Sequence, residues 1–215
     1  MNPANFIRAN TELLSPPLVP EVRLHLATEV MPLWRKSEEE LEAMGVPPPY
    51  WAFAWAGGQA LARYVLDNPE SVRGKSVLDL GSGSGLVGIA AMKAGARSVL
   101  SADIDSYAAA AIALNAQANG VVVEATTDDL IGRDSNWDVI LVGDLCYERP
   151  LAEKLLAWLR ARKGEALLGD PGRSYFPKSG VEHLALYNVQ VTRDLEDREI
   201  RETGVYRLLT GAGPV

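Results

Sequence analysis

Cysteine is nearly absent from this 215-residue sequence: Cys146 is the only one. No intrachain disulfide can form, which fits a reducing compartment. Histidine is almost as scarce, with His25 and His183 alone. Neither has a pair of cysteines nearby, so a His/Cys zinc site is not expected. Basic residues are outnumbered, 21 Lys and Arg against 28 Asp and Glu, leaving a net charge of -7. That balance argues against stable binding to nucleic acid. No run of the chain approaches the roughly 18 apolar residues that span a bilayer, so no membrane partner is expected. The stretch Met1–Pro17 has neither the apolar centre of a secretory signal nor the Arg- and Ser-rich pattern of a transit peptide, and a bacterial, cytoplasmic location is the expectation. The remaining composition, 47% hydrophobic and 23% charged, is that of a globular chain able to bury a core without staples. A single globular unit, working as a monomer, is expected.

The order of segments along the chain predicts the fold. Residues 1–20, with Pro16, Pro17 and Pro20, read as an arm, and residues 21–45 carry a patchy helical pattern ending at Gly45. Pro47, Pro48 and Pro49 stop any helix, and the aromatic cluster Tyr50, Trp51, Phe53 and Trp55 follows. Gln59–Leu66 reads as a helix stopped near Asn68 and Pro69. From there strands and helices alternate. Strands are expected at Ser76–Leu80, Ser98–Ala102, Val121–Ala125, Trp137–Val142 and Glu165–Gly169, with helices at Leu86–Ala94, Tyr107–Asn119 and Leu151–Arg162. Helices of this length between strands imply parallel crossovers and an α/β, doubly wound, Rossmann-like sheet. Tyr187–Thr192 and Gly204–Leu209 alternate apolar and polar residues, which predicts a terminal antiparallel hairpin. The chain thus divides into an N-terminal arm, helices and aromatic lid over residues 1–69 and a core over residues 70–215.

In such a sheet the ligand lies beyond the carboxyl ends of the strands. The loop after the first core strand, Gly81-Ser82-Gly83-Ser84-Gly85, is glycine-rich and runs into a helix whose N-terminus offers free N–H donors. It fits two templates. Gly83, Gly85 and Gly88 match a dinucleotide fingerprint, the pattern of an NAD-dependent oxidoreductase. Asp79, Gly81, Gly83 and Gly85 resemble the first motif of class I S-adenosylmethionine (SAM) methyltransferases. The strand ends near Leu80, so the first tight turn falls at Gly81 and favours the second template. Asp79 then suits the cationic amino group that SAM has and NAD lacks. Asp103, at the end of the next strand, is placed to accept from ribose hydroxyls, and Ile104 to pack on adenine. Asp128 or Asp129 is placed to accept from an adenine amino group, with nothing to choose between them.

Asp144-Leu145-Cys146-Tyr147, after the buried-looking strand Val139–Val142, resembles the Asp-x-x-Tyr motif of seven-β-strand protein methyltransferases. Together with Tyr50–Pro69, Val77–Gly85, Asp103–Asn115 and Leu168–Arg173, it is most similar to the electron-transfer-flavoprotein β-subunit lysine methyltransferase family, over about residues 20 to 210. The resemblance implies a seven-stranded sheet with its last strand reversed, SAM as methyl donor with S-adenosylhomocysteine as product, and a protein lysine as acceptor. The implied partner is the electron transfer flavoprotein β subunit, with a ribosomal protein as the alternative. A small-molecule or nucleic-acid methyltransferase is the competing reading; Leu145 and Cys146 stand where amino-methylating nucleic-acid enzymes often carry prolines. The resemblance places Trp55 over the cofactor, with Gly57, Gly58 and Gln59 nearby, and implies Ser82 among the cofactor contacts. Asp144 is the candidate to hold the acceptor nitrogen, and Tyr147 to form a wall of the lysine channel. Asp170 and Arg173 read either as substrate-side residues or as an internal pair. Trp51 and Trp55, four apart, would share a helical face and pack in the core. Glu38-Glu39-Glu40 reads as a solvated face.

Overall fold

A computed structural model describes residues 2–28, 47–133, 136–191 and 200–209. Its elements are α1 (Pro3–Asn10), β1 (Glu12–Leu14), β2 (Leu24–Leu26), a 3-10 turn (Tyr50–Ala52), α2 (Ala56–Asp67), a second 3-10 turn (Pro69–Ser71), β3 (Ser76–Leu80), α3 (Leu86–Lys93), β4 (Ser98–Ala102), α4 (Ser106–Ala118), β5 (Glu124–Thr126), β6 (Val139–Gly143), α5 (Arg149–Ala161), β7 (Glu165–Asp170), β8 (Val181–Gln190) and β9 (Ile200–Leu208). Strands β3 to β9 form one seven-stranded sheet in the order β5-β4-β3-β6-β7-β9-β8. The pairs from β5 through β7 are parallel, and β9 is antiparallel to both β7 and β8. The expected doubly wound sheet with a reversed terminal strand is what forms.

The strand sequences explain the layers. Val77, Val139, Leu141 and Leu167 enter one core cluster, with α2 and α3. Their neighbours Leu78, Ile140, Val142, Ala166 and Leu168 enter another on the opposite face, with Leu155, Leu156 and Leu159 of α5. Side chains alternate across a strand, so a central strand covered by helices on both faces must be apolar throughout. The strand order reverses at β3, which has β4 on one side and β6 on the other. The crevice at their carboxyl ends is where an open α/β sheet binds its ligand.

Three expectations change. Residues 1–20 are not merely an arm. Asn2 caps α1 by accepting from the Ala4 and Asn5 N–H groups, and Phe6 and Ile7 of that helix are buried against Trp51, Tyr107 and Ala111. Burial of these apolar side chains overrides the proline-rich texture that follows. Within 21–45, Leu24–Leu26 is a strand paired with Glu12–Leu14, not helix; the rest of that pattern and Glu38-Glu39-Glu40 lie almost wholly outside the described residues. Val121–Val123 do not join β5. Gly120, at φ 65°, ends α4 with the Val121 N–H returning to the Ala116 carbonyl, and this cap consumes the residues before Glu124.

Candidate active site

The strand ends enclose a cavity of about 940 Å3. It is lined from one side by Gly81, Gly83, Asp103, Ile104, Asp128 and Asp129, from the other by Gly143, Asp144, Leu145, Tyr147 and Arg173, and at its rim by Tyr50, Trp51 and Trp55. Thus the β3/β4 half and the β6/β7 half of the predicted site share one space.

The glycine loop is built from beneath. Gly81, Gly83 and Gly85 have φ of 65°, 52° and 81°, a region costly for other residues. The N–H groups of Gly81 and Ser82 donate to the Ala102 carbonyl, joining the loop to β4. Asp79 lies underneath, 1% exposed, and accepts from the Ser82 hydroxyl, the Ser101 hydroxyl (3.1 Å) and the Gly88 N–H (2.9 Å). Burial pushes its carboxyl up to about 6, against the opposing pull of these hydrogen bonds. Asp79 and Ser82 therefore do not line the cavity, and neither does Gly85. Asp79, expected at the cofactor's amino group, instead ties the loop to the first turn of α3. The turn begins at Gly81 as the strand end required, yet Gly88 also has a packing role. A Cβ there would run into Ser101 and Asp79.

Asp103 faces the cavity and organises its wall. Its Oδ2 accepts from the Gly83 N–H at 2.9 Å and its Oδ1 from the Asp105 N–H at 3.0 Å, leaving lone pairs for a hydroxyl. Ile104 beside it is 78% exposed, an apolar surface at the opening. Asp128 and Asp129 both line the cavity. The first pairs with Arg133 at 3.0 Å and the second with Lys154 at 2.8 Å, whose hydrogen bond holds the Asp129 carboxyl below its ordinary value.

Trp51 and Trp55 share no helical face: one sits in the 3-10 turn, the other caps α2. Trp51 is buried and stacked on Tyr107, ring centres 6.3 Å apart. Trp55 stands at the rim, its indole N–H donating to the Tyr50 carbonyl at 2.9 Å.

Asp144 is held by three elements. It sits at φ 57°, the one described non-glycine residue in that region, and its N–H donates to the Gly169 carbonyl at the end of β7. Its Oδ2 accepts from the Gly58 N–H of α2 at 3.0 Å, and its Oδ1 from Arg173 Nη2 at 2.8 Å and Nε at 3.2 Å. Arg173 thus pairs with Asp144, not with the Asp170 side chain. Asp170 orders the loop instead, accepting from the N–H groups of Gly172 and Arg173, both at 2.7 Å. Burial pushes the Asp170 carboxyl up to about 6. Cys146 is buried, which pushes its thiol up to about 12, so it carries no thiolate at neutral pH. Tyr147 is 45% exposed at the mouth, with its phenol raised by partial burial. His25 and His183, on β2 and β8, lie outside the cavity lining. Sequence reasoning missed that Tyr50, Trp51 and Lys154 line this space. The aromatic cluster before α2 signalled the first two, and nothing in the sequence signalled the lysine.

Residues 59–146 match the family model of ribosomal protein L11 methyltransferase. Over 214 residues the chain is 41% identical to the electron transfer flavoprotein beta subunit lysine methyltransferase of Xenopus laevis, covering 95% of this chain and 86% of that one. The Danio rerio protein of the same name is 44% identical, with 94% and 82% covered. Among solved structures, the ribosomal protein L11 methylase of Lactobacillus delbrueckii subsp. bulgaricus has a TM-score of 0.55 at 22% identity, covering 74% of this chain and 81% of that one. The magnesium protoporphyrin IX methyltransferase of Synechocystis PCC 6803, solved with bound SAM, has a TM-score of 0.53 at 17% identity, covering 72% and 78%. These two likenesses concern the fold.

Proposed function

The chain belongs to the electron transfer flavoprotein beta subunit lysine methyltransferase family, and we propose that it moves the methyl group of SAM to a lysine of the electron transfer flavoprotein β subunit. The observation that carries this reading is the shared cavity, with a glycine loop and Asp103 at one end and the braced Asp144 at the other.

The residues suit the cofactor. Gly81 and Gly83 bring bare backbone to the cavity wall, Asp103 offers a carboxylate to ribose hydroxyls, and Ile104 offers an apolar surface to adenine. Trp51, which lines the same space, has a buried indole N–H without a hydrogen-bond partner among the described residues. An orphan donor of this kind costs on the order of 1–3 kcal/mol.

When bound, SAM would supply an electrophilic methyl group on its sulfonium, whose carbon is open to in-line attack by the acceptor nitrogen with S-adenosylhomocysteine as the leaving thioether. A lysine of ordinary pKa (~10.4) is neutral in only about one molecule in 2,500 at pH 7, so the protein has to align the amine and let it shed a proton. Asp144 aligns it by accepting an amine N–H, and it stabilises the positive charge that develops on nitrogen. Its two carboxylate oxygens are already braced by Arg173 and Gly58, so little reorganisation accompanies the transfer. The Tyr147 ring borders the path of the side chain, and Trp55 and Tyr50 help to exclude water. The acidic balance of the chain is compatible with a lysine-bearing protein surface as partner. The enzyme is read as a cytoplasmic monomer, which sedimentation at assay concentration checks for oligomeric state.

The test is incubation with methyl-labelled SAM and either the electron transfer flavoprotein β subunit or ribosomal protein L11, followed by mapping of the label. Label on lysine of the β subunit is expected. Label confined to the ribosomal protein contradicts the proposed substrate.

A further inference from the structure

Asp144 already has a cation. Arg173 grips its Oδ1 through two nitrogens, with the two side chains only 19% and 12% exposed. The guanidinium also lies 5.9 Å from the centre of the Trp55 ring. The loop is shaped to deliver it: Gly172 takes φ 87°, and Asp170 clamps the Gly172 and Arg173 N–H groups. An enclosed, two-nitrogen contact of this kind is a fixed part of the site, unlike an exposed ion pair.

The surrounding charges give that cation a task. At the β6 and β7 ends, Asp170 lies close enough to Asp144 for the two carboxylates to repel. The Cys146 thiol between them is neutral, and the phenols of Tyr147 and Tyr206 are raised above their ordinary value. Glu148 adds a charge beside Tyr147. Asp103 and Asp105 face the cavity from the end of β4, and Tyr50 from the rim. Asp128 and Asp129 are matched by Arg133 and Lys154. The first turn of α2, Ala56-Gly57-Gly58-Gln59, brings N–H groups and no charged side chain. Removal of Arg173 would take away the positive charge that the described residues place beside Asp144 and Asp170. Such a site holds an ammonium and stabilises the protonated lysine that cannot react.

We propose that Arg173 is a positioning residue for the transfer. It offsets part of the Asp144 charge, so that the acceptor lysine enters as the free amine while Asp144 still orients it and meets the charge that develops on nitrogen. The inference rests on lysine being the acceptor.

The test is the pH dependence of single-turnover methyl transfer to the electron transfer flavoprotein β subunit at saturating SAM, for wild type, Arg173→Gln and Arg173→Lys. Mass spectrometry of the wild-type product comes first: label absent from lysine overturns the acceptor reading beneath the inference. With label on lysine, Arg173→Gln is expected to raise the pH of half-maximal rate by about one unit or more. It should also lower both kcat and KM for the protein at neutral pH, because the ammonium is held unproductively. Arg173→Lys keeps the charge without the fork, so it should react more slowly at an unshifted pH midpoint. Melting temperature and the SAM dissociation constant report whether each variant is folded. A folded Arg173→Gln whose rate falls equally at every pH overturns the proposal, because Arg173 would then only order its loop. If Arg173→Gln does not fold, a displaced midpoint in Arg173→Lys overturns it.

Discussion

At the scale of single residues, Asp103 and Asp79 are carboxylates that bond to the same glycine loop but are held in opposite surroundings, one at the cavity wall and one 1% exposed. Asp103 faces the cavity from the end of its strand, while Asp79, three positions before Ser82 and beneath it in the fold, faces inward. Burial decides this, and burial at a strand end depends on which neighbours close over it. The Arg173–Asp144 pair was invisible for the same reason: it joins the ends of two strands that meet only in the sheet. Asp103→Ala is expected to weaken SAM binding about tenfold or more, because it removes the ribose acceptor and frees the Gly83 N–H. Titration calorimetry checks this, and an unchanged dissociation constant contradicts the ribose assignment. Asp79 makes a different prediction. Folded, it keeps its proton up to about pH 6; unfolded, it releases it near ~3.9. Between those values the folded state binds more protons, so this residue makes stability fall as pH rises. Asp79→Asn removes that slope. Its unfolding free energy relative to wild type should improve by on the order of 2 kcal/mol from about pH 4 to about pH 7, as measured by urea unfolding. A constant difference across that range would contradict the buried, raised carboxylate.

At the scale of elements, β3 and β4 appear with the boundaries their apolar runs predict, because both are buried by a helix layer and ended by glycine or aspartate. Elements whose stability comes from distant partners were not legible. α1 is held by Tyr107 and Trp51, far along the chain, and β8 starts at Val181, six residues before its alternation becomes plain, because β9 pairs along its whole length. The first turn of α2 shows how an element positions the chemistry. A Cβ on Gly57 would collide with the Gly169 carbonyl and the Asp144 carboxylate, whereas one on Gly58 meets only a Val87 methyl at 3.9 Å. Gly57→Ala should therefore destabilise the protein by about 1–3 kcal/mol and impair methyl transfer, since α2 must retreat from β7. Gly58→Ala should be neutral or stabilising by up to about 1 kcal/mol. Chemical unfolding and transfer rates of the two variants test this contrast. Equal effects would mean that the approach of α2 to β7 does not position Asp144.

At the scale of the molecule, the two halves of the site come from opposite sides of the point where strand order reverses. The β3/β4 side carries the glycine loop and Asp103, and the β6/β7 side carries Asp144, Tyr147 and Arg173. The fold alone brings them together, so donor and acceptor functions should be separable by substitution. The most direct measurement compares wild type with Asp144→Ala in two assays on the same preparations: methyl transfer from labelled SAM to the electron transfer flavoprotein β subunit, and SAM binding by calorimetry. Transfer to lysine is expected to fall by about a hundredfold or more, with the SAM dissociation constant within about threefold of wild type. Wild-type transfer by Asp144→Ala would contradict the account.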